Sequence, residues 1–105
     1  MKIKMILGTV LLSGLLFGTG SAMALDGAEL YKTKTCFSCH GKDAQTPIMP
    51  TYPKLAGQNA PYAAQQMKDI KSGARSNGMA AAMKGVMHLV TDEEIDAIAA
   101  WLATL

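Results

Sequence analysis

Cys36-Phe37-Ser38-Cys39-His40-Gly41 is the stretch on which the reading of this chain turns. Two thiols three positions apart, with an imidazole directly after the second, can all meet one flat ligand. Each sulfur adds to a vinyl group at the ligand's edge, and the imidazole sits beneath a metal at its centre. That is the covalent attachment pattern of a c-type haem. Two other chemistries use paired cysteines. A dithiol redox pair follows a strand in a βαβ unit, and nothing here alternates as a strand would. A zinc site needs four ligands, and beyond Cys36, Cys39 and His40 only His88 remains. One covalent haem c, with its iron, is the expected cofactor.

Upstream of the motif, Lys2 and Lys4 precede a charge-free apolar run from Met5 to Phe17, which closes on Ser21-Ala22-Met23-Ala24. The run is short for a membrane span, and Ala22-x-Ala24 is the small-residue pattern a signal peptidase cuts after. The expectation is a secretion signal over residues 1–24, leaving 25–105 as one domain with no membrane insertion after cleavage. Export suits the cofactor, because c-type haems are attached outside the cytoplasm.

Removing that leader changes the charge. The 105-residue chain carries a net charge of +2, and both surplus lysines lie in the leader, so the remainder has eight basic and eight acidic residues. A neutral domain offers no reason to expect a nucleic-acid partner. Four of its acids crowd into Asp92–Asp96, whereas most of its basic residues fall between Lys32 and Arg75. A domain of this size also buries little apolar surface, and a large cofactor is the available staple.

Three helices are legible. The first starts at Asp26, an N-cap with Glu29 placed to close a capping box, and runs to about Thr35. From Gly41 to Gln58 the chain is punctuated by Pro47, Pro50, Pro53 and Gly57, which excludes a helix. The second starts near Asn59 with Pro61 in its first turn, puts Ala63, Met67 and Ile70 on one face, and stops at Gly73. A glycine- and alanine-rich segment carrying Met79, Met83 and Met87 reads as a loop. Thr91 and Glu94 form the capping box of the last helix, whose buried stripe is Ile95, Ile98, Ala99 and Leu102, with Trp101 at its edge. The class is all-α with long loops.

With these features together, the chain resembles the small bacterial class I cytochromes c, and is similar to each half of the periplasmic dihaem cytochromes. The resemblance spans Asp26–Leu105. It rests on the cysteine motif, on Tyr52-Pro53-Lys54-Leu55-Ala56-Gly57-Gln58, on Lys71-Ser72-Gly73-Ala74-Arg75, and on the ending Thr91-Asp92-Glu93-Glu94-Ile95 to Trp101-Leu102. It implies the class I fold, three main helices with long loops around one haem. Cys36 and Cys39 would form the thioethers and His40 the proximal iron ligand. Pro50 would be the loop proline whose carbonyl accepts the ring N–H of that histidine. Gly27 and Tyr31 match the crossing of the first helix with the last, with Trp101 as the aromatic partner.

The resemblance also places the sixth ligand before the last helix. Met83, eight residues ahead of the Thr91 cap, has the matching interval, while Met79 and Met87 remain alternatives. Met49 lies close to His40 in sequence, and Met67 belongs to a helix face. His88 would give a bis-histidine haem, although a surface role suits it better.

A His/Met-ligated haem implies a soluble periplasmic electron carrier rather than an enzyme. It would be a monomer, meeting redox partner proteins (an electron donor and an acceptor) transiently through lysines such as Lys32, Lys34, Lys42, Lys54 and Lys84. Two other roles are compatible with the motif. One is the haem subunit of an oxidoreductase such as a sulfide-oxidising flavocytochrome. The other is a gas-binding sensor or weak peroxidase.

Overall fold

The computed structural model describes residues 24–105; the expected leader, apart from Ala24, lies outside them. Among the described residues there are five helices and no strand: α1 (Gly27–Thr33), α2 (Phe37–His40), α3 (Ala60–Ser72), α4 (Ala80–Met87) and α5 (Asp92–Leu102). The three expected helices are α1, α3 and α5, and the two added ones carry Cys39 and His40 (α2) and Met83 and Met87 (α4).

At the start of α1 the Asp26 carboxylate accepts the Glu29 N–H at 3.2 Å, one half of the expected box. The helix stops earlier than its sequence suggests because Thr35 adopts a left-handed conformation, with φ of 65°. A β-branched residue rarely goes there. The kink turns the chain directly into α2, a single turn closed by the His40 N–H to Cys36 carbonyl bond of 3.0 Å. Attachment motif and first helix are therefore separate elements set at an angle, not one continuous rod.

Asn59 caps α3 by accepting the Tyr62 N–H at 3.0 Å, and Gly73 ends it in the left-handed region, with φ of 92°. The segment read as a loop is helical: Ala80-Ala81-Ala82 has high intrinsic helix propensity. Its two glycines had pointed the other way, but Gly78 lies outside the helix and Gly85 sits where nothing crowds it. Helix α5 has both halves of its capping box, Glu94 N–H to Thr91 Oγ1 at 3.1 Å and Thr91 N–H to Glu94 Oε1 at 2.9 Å.

The core lies where α1 and α3 pack on α5. Ile95, Ile98, Ala99 and Leu102 are all buried, as the stripe required. Helix α1 crosses α5 at Gly27, where a Cβ would overlap the Ala97 carbonyl oxygen and come within 2.7 Å of Trp101 Cβ. One turn on, Tyr31 packs on Trp101 with ring centroids 5.1 Å apart and planes tilted by 51°. Lys68–Asp96 at 3.0 Å and Lys71–Asp92 at 3.4 Å join the basic end of α3 to the acidic start of α5. Both pairs lie at the surface, where such pairs contribute little to stability.

Candidate haem site

Helix α2 and the loop after it position the proximal side. His40 is buried on the wall of a cleft of ≈ 440 Å³ that Cys36 and Cys39 also line. Its ring Nδ1 lies 3.0 Å from the Pro53 carbonyl oxygen. A carbonyl only accepts, so Nδ1 donates, and Nε2 is left with its lone pair free. Burial lowers the pKa of the ring below the usual histidine value, which favours the neutral form that can ligate a metal; the Pro53 bond opposes the shift but does not reverse it.

The expected partner of His40 was Pro50, and the structure corrects this to Pro53. Both prolines lie in the same irregular loop, and spacing alone does not say which carbonyl turns inward. The loop is pinned by Ile48 N–H to Cys39 O at 3.1 Å, and by Leu55 and Ala56 N–H to Ala44 O at 2.9 and 3.0 Å. Between those anchors it is the carbonyl of Pro53, two residues before Leu55, that meets the imidazole.

Burial pushes the Cys36 thiol up to about 11, whereas Cys39 is exposed. Behind them Tyr31 is 1% exposed, and its hydroxyl donates to the Gly41 carbonyl at 2.6 Å. Burial, with smaller contributions from Cys36 and Asp43, raises the phenol well above its ordinary value, so it remains a donor. This bond ties α1 to the residue that ends the motif. Tyr31→Phe keeps the ring and strands that buried carbonyl, which should cost about 1–3 kcal/mol. At roughly 4–8 °C per kcal/mol, a thermal melt of the haem-loaded protein resolves the loss. A melt matching the unsubstituted protein would contradict the role given to the hydroxyl.

The opposite wall is α4. Met79, Met83 and Met87 recur every four residues and all line the cleft. Their environments differ sharply. Met87 is 2% exposed and belongs to the core, Met79 is 48% exposed at the N-cap, and Met83 is half-buried against the core between them. Met49 is exposed and does not line the cleft, and Met67 lines it from the buried face of α3. His88 lies on another face, in a surface groove with Lys68, Lys71 and Asp92.

The competing chemistries lose their footing on this geometry. Among the described residues no three His, Cys, Asp or Glu side chains cluster to hold a metal ion by themselves. No strand leads into the cysteines. What is present is a cleft with two thiols and an imidazole on one wall and a thioether row on the other. Its size is within the range of small-molecule and cofactor sites. Those residues fit a covalently held haem.

Sequence reasoning missed part of the lining. Arg75 and Gln66 meet inside the cleft, Nη1 donating to Oε1 at 3.0 Å, although they are nine positions apart. The expected lysines also separate. Lys34 is engaged, donating to the Leu89 carbonyl at 2.9 Å with Glu94 at 3.5 Å, while Lys54 lines the cleft.

Among the described residues no helix is long and apolar enough to cross a membrane. Residues 24–105 match the family described as cytochrome c. The thiosulfate dehydrogenase electron acceptor of Stutzerimonas stutzeri is 37% identical over 80% of this chain and 41% of its own length. Cytochrome c-554(548) of Halomonas halodenitrificans is 40% identical over 70% of this chain and 87% of its own. The crystal structure of reduced recombinant cytochrome c4 from Pseudomonas stutzeri superposes with a TM-score of 0.65 at 26% identity, covering 75% of this chain and 46% of that one. The chain therefore spans less than half the length of the first and the last of these proteins. Motif, fold and relatives agree, and the chain belongs to the cytochrome c family, whose members carry covalently bound haem c.

Proposed function

We propose that this protein is a periplasmic one-electron carrier whose haem c is bound by Cys36 and Cys39 and ligated axially by His40 and Met83. The observation that carries this reading is that His40 and the α4 methionines face one cleft. Met83 is favoured over its neighbours by its half-buried position between a core methionine and an exposed one. When bound, the haem supplies a reversible Fe(III)/Fe(II) couple, which a thioether ligand biases towards Fe(II) and a high potential.

The protein's own groups do the rest. The Pro53 carbonyl fixes the His40 tautomer and ring plane. Tyr31 ties the motif to α1, and packing of α1 and α3 on α5 keeps the two walls at a constant separation. A site with both axial positions filled from the protein has no place for a substrate, which favours a carrier over a gas sensor or peroxidase. Carbon monoxide added to the reduced protein should leave its visible spectrum unchanged. Formation of a carbonyl adduct at equilibrium would overturn the closed site.

A relative named as an electron acceptor supports transient exchange with partner proteins, one of them a dehydrogenase. The exposed Lys32 and Lys42, and Lys54 at the cleft, are the cations placed to steer such encounters. Bimolecular reduction by an acidic donor protein should slow about tenfold from low to high salt. A rate insensitive to salt would remove these lysines from the account. Export after cleavage behind Ala24 completes the proposal, and mass spectrometry of the protein recovered from the periplasm should find Leu25 at its N-terminus; a chain still carrying Met1 would refute it.

A further inference from the structure

Lys84 was expected among the lysines that meet partner proteins, yet it is half-buried and turned towards α3. Its ammonium lies over Gly73, the residue at which α3 ends. A Cβ built there would come within 3.0 Å of Lys84 Nζ and 3.8 Å of Cε. Gly73 therefore serves twice. Its φ of 92° closes the helix in the left-handed region, and its lack of a side chain leaves room for the ammonium.

The carbonyl end of a helix is where such a cation is stabilised. The Asp69 carbonyl accepts from the Gly73 and Arg75 N–H groups, and the Ile70 carbonyl from Gly73. Beyond them, among the described residues, no backbone N–H reaches the Lys71 and Ser72 carbonyls, and the negative end of the α3 dipole falls at this point. The neighbouring cation Lys71 is drawn instead to Asp92, at 3.4 Å, and no ion pair among the described residues includes Lys84.

Lys84 directly follows Met83. Helix α4 packs on α3 and is buried at its two ends by Ala80 and Met87. In the turn between them Ala81, Ala82 and Gly85 are exposed, and nothing lies within 4 Å of a Cβ at Gly85. Met83 and Lys84 are half-buried there, the first lining the cleft and the second reaching the end of α3. Successive helical residues point about 100° apart, so a cation held over Gly73 fixes the rotation of α4 that aims Met83.

We infer that Lys84 is a positioning residue: its ammonium, seated at the carbonyl end of α3, holds α4 in the orientation that keeps the Met83 thioether on the iron. This rests on the proposed Met83 ligation, which the sulfur-to-Fe(III) band of the unsubstituted protein reports separately.

The test is imidazole binding to the oxidised, haem-loaded protein, followed in the visible spectrum at a temperature where every variant is folded. Fe(III) holds a soft thioether less firmly than Fe(II) does, and imidazole at high concentration takes the position Met83 leaves. Its apparent affinity then scales with the fraction of protein in which α4 has released the sulfur. Lys84→Gln keeps most of the side chain without its charge and should raise that affinity about threefold, matching the strength of a cation at a helix C-terminus. Lys84→Arg should return it most of the way to the parent value. Lys68→Gln removes the same charge from the surface pair with Asp96 and should change nothing. An unchanged affinity in Lys84→Gln overturns the inference, and so does an equal rise in Lys84→Arg or Lys68→Gln. A parent protein without the band overturns it together with the Met83 ligation; with the band present, only the role of Lys84 is at stake.

Discussion

Replacing Met83 with alanine is expected to abolish the weak near-infrared sulfur-to-Fe(III) band of the oxidised protein. It should also lower the reduction potential by about 120 mV or more, a hundredfold change in the Fe(III)/Fe(II) ratio at about 59 mV per decade. Both effects have one cause. The thioether is a soft ligand that favours Fe(II), and water or an empty position in its place does not. The neighbouring methionines make the test specific. Met87 is in the core, so Met87→Ala should cost about 2–5 kcal/mol of stability and leave the band in place. Met79 is half exposed at the end of α4, and Met79→Ala should change neither strongly. A band that survives in Met83→Ala and disappears in one of the others would transfer the ligand assignment to that residue.

The second large effect is a pair of identical substitutions with opposite signs. Glycine to alanine inside a helix gains up to about 1 kcal/mol of propensity. At Gly27 that gain is outweighed, because the new Cβ overlaps the Ala97 carbonyl oxygen and crowds Trp101 Cβ. The obstruction is α5 backbone, which cannot rotate away, so α1 must lift from α5 and loosen the Tyr31–Trp101 contact. Overpacking of this kind costs about 3 kcal/mol. The net loss of about 2 kcal/mol should lower Tm by roughly 8–16 °C. In α4 nothing lies within 4 Å of the Cβ position of Gly85. Gly85→Ala should therefore raise Tm, by up to about 4–8 °C. Thermal melts of the two haem-loaded variants check the argument, and a Gly27→Ala protein as stable as the parent would remove the close crossing from it.

Legibility in this chain follows the range of the interactions involved. Caps and stops were readable because their partners lie within four residues: Thr91 with Glu94, Asn59 with Tyr62, Gly73 with Asp69 and Ile70. The haem motif was readable because the cofactor itself enforces the spacing of Cys36, Cys39 and His40. Where the deciding partner is distant in the chain, spacing said less. The choice of Pro53 over Pro50 depends on the Ala44 carbonyl gathering Leu55 and Ala56, and no local pattern encodes it. Arg75 was legible only as the last residue of the Lys71–Arg75 stretch, and the reversal at Gly73 is what returns it to Gln66. Helix α4 was hidden by two glycines that outvoted three alanines, although only Gly85 lies inside the helix. The interval from Met83 to Thr91 is the same either way, since counting back from Thr91 does not depend on whether the residues between are helical.

The central claim is that His40 and Met83 close both faces of one haem iron and leave it to exchange single electrons. Spectroelectrochemical titration of the unsubstituted protein, followed together in the visible and near-infrared, tests this most directly. The account predicts one reversible one-electron transition, with the sulfur-to-Fe(III) band present in the oxidised form and lost at the same midpoint at which the reduced haem spectrum appears. An oxidised protein without that band, or a transition that does not reverse along the same curve, would contradict it.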